Sequence, residues 1–179
     1  MPNQQMALSW SLGHYHGWGI YGLNLVFAML RREIRPLLLR TPGRLALHPL
    51  EMALLLPVLE HSQETITSLV RHPEAMIHAA DTLLLHHTDG RFAFSPISFS
   101  GRAVVGVTFF ESANLAPVAI SKARQLPLVI TGSRWNEQVL TEQYSLTNVR
   151  YIMQGVDVSR FFPSESNGLL AKRFVIFSG

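Results

Sequence analysis

The chain has 179 residues, which suffice for one well-buried domain but not for two complete ones. Hydrophobic residues make up 47% of the sequence and charged residues only 15%, a composition that excludes a disordered chain and suits strands covered on both faces. The net charge of +3 comes from scattered arginines, so nucleic acid is not an expected partner, although peripheral contact with an anionic membrane is compatible with it.

Three classes of protein are excluded by what the sequence lacks. There is no cysteine, which rules out disulfides, thiolate metal sites and cysteine catalysis. The 8 histidines show no HExxH spacing, and we predict no metal ligands. The first ten residues have no basic export segment, and the longest apolar stretch, residues 17–30, is too short to span a bilayer. We therefore expect a soluble, cytoplasmic protein.

The first half of the chain alternates strands and helices. Residues 7–12 predict a strand, residues 13–22 a glycine-rich loop, residues 23–32 a helix and residues 35–40 a second strand. Residues 50–60 and 63–70 predict two helices broken by Pro57, and residues 74–80 a further short helix. Residues 82–87 form an apolar run typical of a buried parallel strand.

The second half continues the alternation. Residues 103–110 predict a strand, residues 115–125 a helix and residues 128–131 a short buried strand. Ser133 is placed to cap a helix over residues 134–143, and residues 149–153 predict the next strand. This order predicts an α/β fold, a Rossmann-like three-layer sandwich with a mainly parallel sheet.

A glycine-rich motif lies between the first predicted strand and helix. Gly17, Gly19 and Gly22 have GxGxxG spacing, which allows backbone N–H groups to approach a phosphate at a helix N-terminus. For a dinucleotide, an acidic residue about 20 positions on would indicate NAD. Arg40 and Thr41 occupy that region, so NADP stays open while NAD is disfavoured. The alternative is that the glycines only allow close packing of the helix.

Further polar and aromatic residues follow the predicted strands. His14, Tyr15, His16 and Trp18 follow the first strand, where open α/β sheets bind ligands, and they suit stacking on a sugar or packing under a loop. His86 and His87 end the third strand and could orient a hydroxyl or simply cap the strand. Thr108 and Glu111 end the fourth, where Thr108 is a candidate acceptor-binding residue and Glu111 is a candidate base or hydroxyl ligand or only a helix N-terminal charge.

Five segments carry a family resemblance: VTFFE (107–111), VITGSRWNEQVL (129–140), MQGVD (153–157), FFP (161–163) and RFVIFSG (173–179). This series resembles the crossing between the two Rossmann-like domains of retaining GT-B glycosyltransferases. The resemblance implies an acceptor-binding domain over residues 1–163, a linker over 164–172 and the first strand of a donor domain over 173–179. The rest of that donor domain would be missing from this chain.

The resemblance also implies substrates and roles. A sugar would pass from a nucleotide-diphosphate sugar to a carbohydrate, lipid or other small acceptor, with no cofactor and no protein-bound metal. His86 or His87 would face the donor sugar, and the loop of Gly17, Trp18, Gly19 and Gly22 would lie near the donor phosphate. The cleft rim would comprise Ser133, Arg134, Gly155 and Asp157. The alternatives are an NADP-dependent oxidoreductase and a freestanding acceptor-binding subunit of a split enzyme.

Overall fold

Six parallel strands form a single sheet in a computed structural model that describes residues 5–155. The strands are β1 (Gln5–Leu8), β2 (Leu37–Leu38), β3 (Ile77–Thr88), β4 (Phe99–Thr108), β5 (Leu128–Thr131) and β6 (Val149–Tyr151). The helices are α1 (Gly17–Leu30), α2 (Pro49–Arg71), α3 (Pro117–Gln125) and α4 (Arg134–Gln138), which continues as a π-helical turn over Val139–Gln143. The predicted α/β class and Rossmann-like three-layer sandwich are confirmed.

The order of the strands is β2-β1-β3-β4-β5-β6, and each neighbouring pair is parallel. The chain therefore moves outward from β1 to β2, and then returns across β1 to add the remaining strands on its other side. In open parallel sheets, ligands bind outside the carboxyl ends of the strands at the point where the order reverses. In this chain that point lies between β1 and β3.

Alternating residues divide the core between the two faces of the sheet. Leu8, Leu38 and Leu85 belong to the largest buried cluster, to which α1 and α2 also contribute side chains. Their neighbours Ala7, Leu37 and Leu84 lie in a separate cluster, as expected for strand residues that point to opposite faces. A third cluster packs α3 and the π-helical turn against β5 and β6.

The connection between β3 and β4, residues 89–98, contains no helix or strand. It returns along the sheet as an irregular strap whose apolar residues fill the core: Phe92 is fully buried, and Phe94 and Ile97 pack against the two smaller clusters. Phe92 has a positive φ of 49°, which is a strained backbone conformation for a large side chain. The strap thus takes the covering role that a helix usually has in this fold.

Helix α1 begins earlier than the sequence indicates. We expected residues 13–22 to form a loop, but the helix starts at Gly17 and includes Gly19 and Gly22. A Cβ on Gly22 would clash with the Trp10 indole, and one on Gly19 would lie 2.7 Å from the Gly13 carbonyl oxygen. These two glycines therefore let α1 approach the segment after β1, which is a tertiary effect that overrides their poor helix propensity.

Two further predictions in the first half were wrong. Residues 49–71 form one helix of 23 residues that continues through Pro57, because buried Leu55 and Val58 on either side hold it against the core. Residues 77–80, predicted as part of a short helix, belong to β3, where Ile77 pairs with Phe99. Pairing between strands so distant in sequence is not visible in local periodicity.

The second half agrees more closely with the sequence. Strand β5 has the predicted bounds, α3 lies within the predicted helix, and Ser133 caps α4 by accepting a hydrogen bond from the Asn136 amide at 3.0 Å. The expected linker and donor-domain strand, residues 164–179, lie outside the described residues. Among residues 5–155, no helix is both long and apolar enough to cross a membrane.

Two glycine substitutions in α1 test this packing. We expect Gly22→Ala to lower the free energy of unfolding by about 1–3 kcal/mol, because the new methyl group has no space against buried Trp10. Gly17→Ala is the matched control in the same helix: nothing lies within 4 Å of its Cβ position, so stability should be unchanged or rise by about 0.5 kcal/mol. Urea denaturation measures both, and equal effects would contradict the close approach.

Candidate functional site

The carboxyl ends of β1 and β3 place two pairs of residues side by side. Ser9 and Trp10 follow β1, while His86 and His87 lie in the last part of β3. Because successive strand residues point to opposite faces, Ser9 meets His86 on the face covered by the strap, and Trp10 meets His87 on the face covered by α1. The predicted histidine pair is thus divided between two environments.

His86 is buried and hydrogen-bonded. Its Nδ1 lies 2.7 Å from the Ser9 hydroxyl, its ring packs 4.3 Å from the Phe94 ring, and it is only 4% exposed. Burial is the main cause that lowers its pKa from 6.5 to about 4, and the charges of His87 and Arg40 act in the same direction. His86 is therefore neutral at physiological pH and enclosed beneath the strap, which favours a structural role.

His87 lies among aromatic rings and lacks the hydrogen bond that His86 makes. Its ring is half-buried at 5.3 Å from Trp18 and 6.2 Å from Trp10, in T-shaped arrangements. Its Nδ1 is buried and has no hydrogen-bond partner within residues 5–155. Burial is the first cause that lowers the pKa of His87, so the neutral ring, with one donor and one acceptor nitrogen, is favoured. The Trp10 indole nitrogen is likewise buried without a partner, so a bound water or a ligand hydroxyl would have to enter the aromatic surroundings of His87 to supply the missing hydrogen bonds.

Five aromatic rings surround this point of the sheet. Trp10, Trp18, Tyr21, His87 and Phe109 are joined by ring centroid distances of 4.8 to 6.2 Å. We call this group the aromatic cluster. It unites side chains from the segment after β1, from α1 and from the ends of β3 and β4, which makes it the meeting point of the strands at the reversal.

The segment before α1 is largely occupied by backbone contacts. His16 is the N-cap of α1, and its Nδ1 accepts a hydrogen bond from the Gly19 amide at 2.9 Å. His14 Nδ1 accepts one from the Ala46 amide at 3.1 Å, and the exposed Tyr15 ring lies 5.6 Å from the Arg44 guanidinium. Of this predicted group, Trp18 alone joins the aromatic cluster.

The predicted phosphate loop has a different local structure from the one expected. The Gly19 amide is already used by His16, and both Gly19 and Gly22 are needed for packing. Gly17 is exposed at the first position of α1, with open space around it. A substitution such as Gly19→Val would consequently test folding rather than phosphate binding.

A cleft of about 770 Å³ lies beside the aromatic cluster, between the segments after β3 and β4 and the start of α3. Glu111 is exposed in its wall together with Asp89, and Arg91 and Lys122 supply positive charge. Phe109 belongs both to this cleft and to the aromatic cluster. Thr108, expected to bind the acceptor, is fully buried, and its hydroxyl donates to the Asp89 carbonyl at 3.3 Å.

The described part of the expected rim lies at the end of β5. Ser133 caps α4, and Arg134 is exposed with its guanidinium 5.9 Å from the Tyr151 ring. Gly155 is exposed with open space around it. Asp157 lies outside the described residues, and the structure does not test its role. Within residues 5–155, no group of three side chains of the metal-binding types lies together.

Sequence reasoning did not find Ser9, Trp10 or Phe109. Ser9 is 77 positions from His86, so no local pattern links them. Trp10 and Phe109 fall within predicted strands, and Phe109 also within the VTFFE segment of the family resemblance, but neither was predicted as a site residue. Their position directly after the buried runs of β1 and β4 was the available signal, because such residues meet at the carboxyl edge of a parallel sheet.

No protein-family model, curated protein or solved structure matches the chain.

The buried state of His86 predicts a pH dependence of stability. Its pKa is lower in the folded chain than in the unfolded chain, so protons bind more readily to the unfolded chain. The stabilisation is full above pH 6.5 and is lost as the pH falls toward about 4. We expect this group to remove about 3 kcal/mol over that window, and His86→Asn to reduce the slope.

The matched control is His78→Asn. His78 is an exposed residue of the same strand, and its Nδ1 lies 2.7 Å from the Ser100 hydroxyl. We expect this variant to keep the wild-type slope in urea denaturations between pH 7 and pH 4. A slope unaffected by His86→Asn would contradict the assigned burial.

Proposed function

We propose that the chain is the acceptor-binding half of a glycosyltransferase of the GT-B type, and that it acts on a nucleotide-diphosphate sugar together with a donor domain. Its acceptor would be a carbohydrate, a lipid or another small molecule. Cytoplasmic location and peripheral membrane contact belong to the same proposal, as do the absence of a cofactor and of a bound metal.

The observation that carries this proposal is the environment of His87. An unpartnered imidazole nitrogen lies between two tryptophans at the reversal of a parallel sheet. Sugar binding commonly combines an aromatic surface for the C–H face of the ring with a polar group for a hydroxyl, and Trp18 and His87 offer both. The sequence from residue 104 to the carboxyl end resembles GT-B enzymes, and this resemblance suggests the class of reaction.

The neighbouring cleft supports a role for an acceptor. Sugar transfer breaks the bond between the anomeric carbon and the donor phosphate, and it forms a new bond to an acceptor oxygen that must lose its proton. Glu111 is an exposed carboxylate in a cleft that shares Phe109 with the aromatic cluster. It could accept that proton or bind the acceptor hydroxyl.

The rival proposal, an NADP-dependent oxidoreductase, loses its two supports. The Gly19 amide, expected to face a phosphate, donates to His16. The Arg40 guanidinium, expected to read the 2′-phosphate, donates to the carbonyls of Ser9 and Pro96 at 3.0 and 3.1 Å. Arg40 still has donors left, so NADPH is included below as a competing ligand.

Saccharide binding tests the site directly. We expect saturation-transfer NMR on the 179-residue chain to detect millimolar binding of at least one member of a panel of methyl glycosides. His87→Ala should weaken it about tenfold by removing a hydrogen bond, and Trp18→Leu by a similar factor by removing the stacking surface. His78→Ala is the control on the same strand and should bind normally. Absence of any glycoside binding, or equal loss in the control, would contradict the proposal.

The division between two domains makes a second prediction. Because the donor domain supplies most donor contacts in the family that the chain resembles, residues 1–179 alone should bind UDP-, GDP- and ADP-sugars poorly and release no nucleoside diphosphate in their presence. Nucleoside diphosphate release by this chain in isolation would contradict the proposal that a separate donor domain supplies most donor contacts. Saturable enhancement of NADPH fluorescence would instead favour the oxidoreductase.

A further inference from the structure

A second cavity lies on the other face of the sheet, away from the aromatic cluster. It has a volume of about 410 Å³, is open to solvent, and is bordered by the end of β2, the end of α2 and the last part of the strap. Its wall is mainly aliphatic, and the residues that the argument uses are Leu39, Arg40, Leu69, Val70, Pro96 and Ile97. Nothing in the proposed transfer reaction requires this cavity.

Arg40 gives the cavity its chemical character. Its Nε donates to the Ser9 carbonyl at 3.0 Å and one terminal nitrogen donates to the Pro96 carbonyl at 3.1 Å, so the guanidinium is held in a fixed orientation. Two neutral acceptors leave its positive charge uncompensated. Among residues 5–155, the ion pair present is His72 with Glu74 at 3.9 Å, and no carboxylate pairs with Arg40. A guanidinium has five N–H donors, so donors remain for a ligand.

Two of the three hydroxyl groups that line the cavity are already hydrogen-bonded. Ser11 donates to the Thr41 carbonyl at 2.7 Å, and Ser98 donates to the Pro73 carbonyl. The fixed guanidinium is therefore the charged donor in the wall, and apart from Ser11, Thr41 and Ser98 the remaining lining is apolar. A planar fork of N–H groups binds carboxylate and phosphate oxygens in pairs, whereas aliphatic walls favour a ligand with an apolar body.

We propose that this cavity is a binding site for an amphipathic anion, a molecule with an apolar body of about eight carbons and a single carboxylate or phosphate that pairs with Arg40. The volume agrees with a small-molecule site, since such sites start at about 300 Å³. The proposal stands whether or not the chain transfers sugars.

Occupancy of this cavity is coupled to the histidines at the strand ends. The charge of Arg40 contributes to the lowered pKa of both His86 and His87. An anion paired with Arg40 would offset that charge and raise the pKa of both imidazoles. The ligand would then be sensed at the aromatic cluster without touching it.

The test is an NMR titration of the isotopically labelled 179-residue chain with octanoate, octyl phosphate, octanol and acetate. We expect saturable shifts of amides near Arg40, Val70 and Ile97 with octanoate or octyl phosphate. Octanol, which lacks the charge, and acetate, which lacks the apolar body, should bind at least about tenfold more weakly. Whichever of octanoate and octyl phosphate binds more tightly identifies the preferred head group. Equal binding of octanol would overturn the anion site, and so would the absence of saturable shifts.

Three variants separate ligand binding from folding. Arg40→Gln should weaken the anion about tenfold, whereas Arg40→Lys, which keeps the charge, should lose less. Val70→Trp places bulk at the exposed edge of the cavity while leaving Arg40 in the chain, and it should also weaken binding, whereas Leu50→Trp, at the exposed start of the same helix, should not. If Arg40→Gln keeps a native amide spectrum and binds octanoate normally, the proposal is wrong.

Discussion

Ser9 holds the carboxyl edge of the sheet together. Its amide donates to the Leu85 carbonyl at 3.1 Å, its hydroxyl bonds the His86 ring and accepts from the His87 amide at 3.3 Å, and its carbonyl accepts from Arg40. One small buried residue thus fixes the ends of β1 and β3 and the guanidinium beyond β2. These hydrogen bonds offset the free energy that it costs to remove the neutral His86 imidazole from water and to immobilise the Arg40 side chain.

The two faces of the sheet acquire different properties from this arrangement. On one face the strap of residues 89–98 covers His86 and leaves a small cavity beside Arg40. On the other face α1 approaches closely because Gly19 and Gly22 lack side chains, and it brings Trp18 next to His87. The reversal of strand order therefore leaves the aromatic cluster on one face and the cavity beside Arg40 on the other, and the charge of Arg40 contributes to the lowered pKa of both His86 and His87.

The local sequence pattern correctly predicted those elements whose bounds depend on neighbouring residues in the chain. The bounds of β5 follow from a short apolar run between Pro127 and Gly132, and Ser133 is a capping residue at the expected place. The start of α1 and the extent of β3 depend instead on packing and pairing across the molecule. The histidines could be placed at a strand end, but Ser9 as partner of His86 required the strand order.

The most direct test of the account is the location of a bound saccharide. Ring ¹⁵N and indole NMR signals can be followed while the best-binding methyl glycoside is added to the labelled chain. The account predicts shifts of the His87 ring and the Trp18 indole, with the ring of exposed His78, near the amino end of β3, unchanged. Shifts at His78 without any at His87, or no shifts at all, would contradict a saccharide site at the strand reversal.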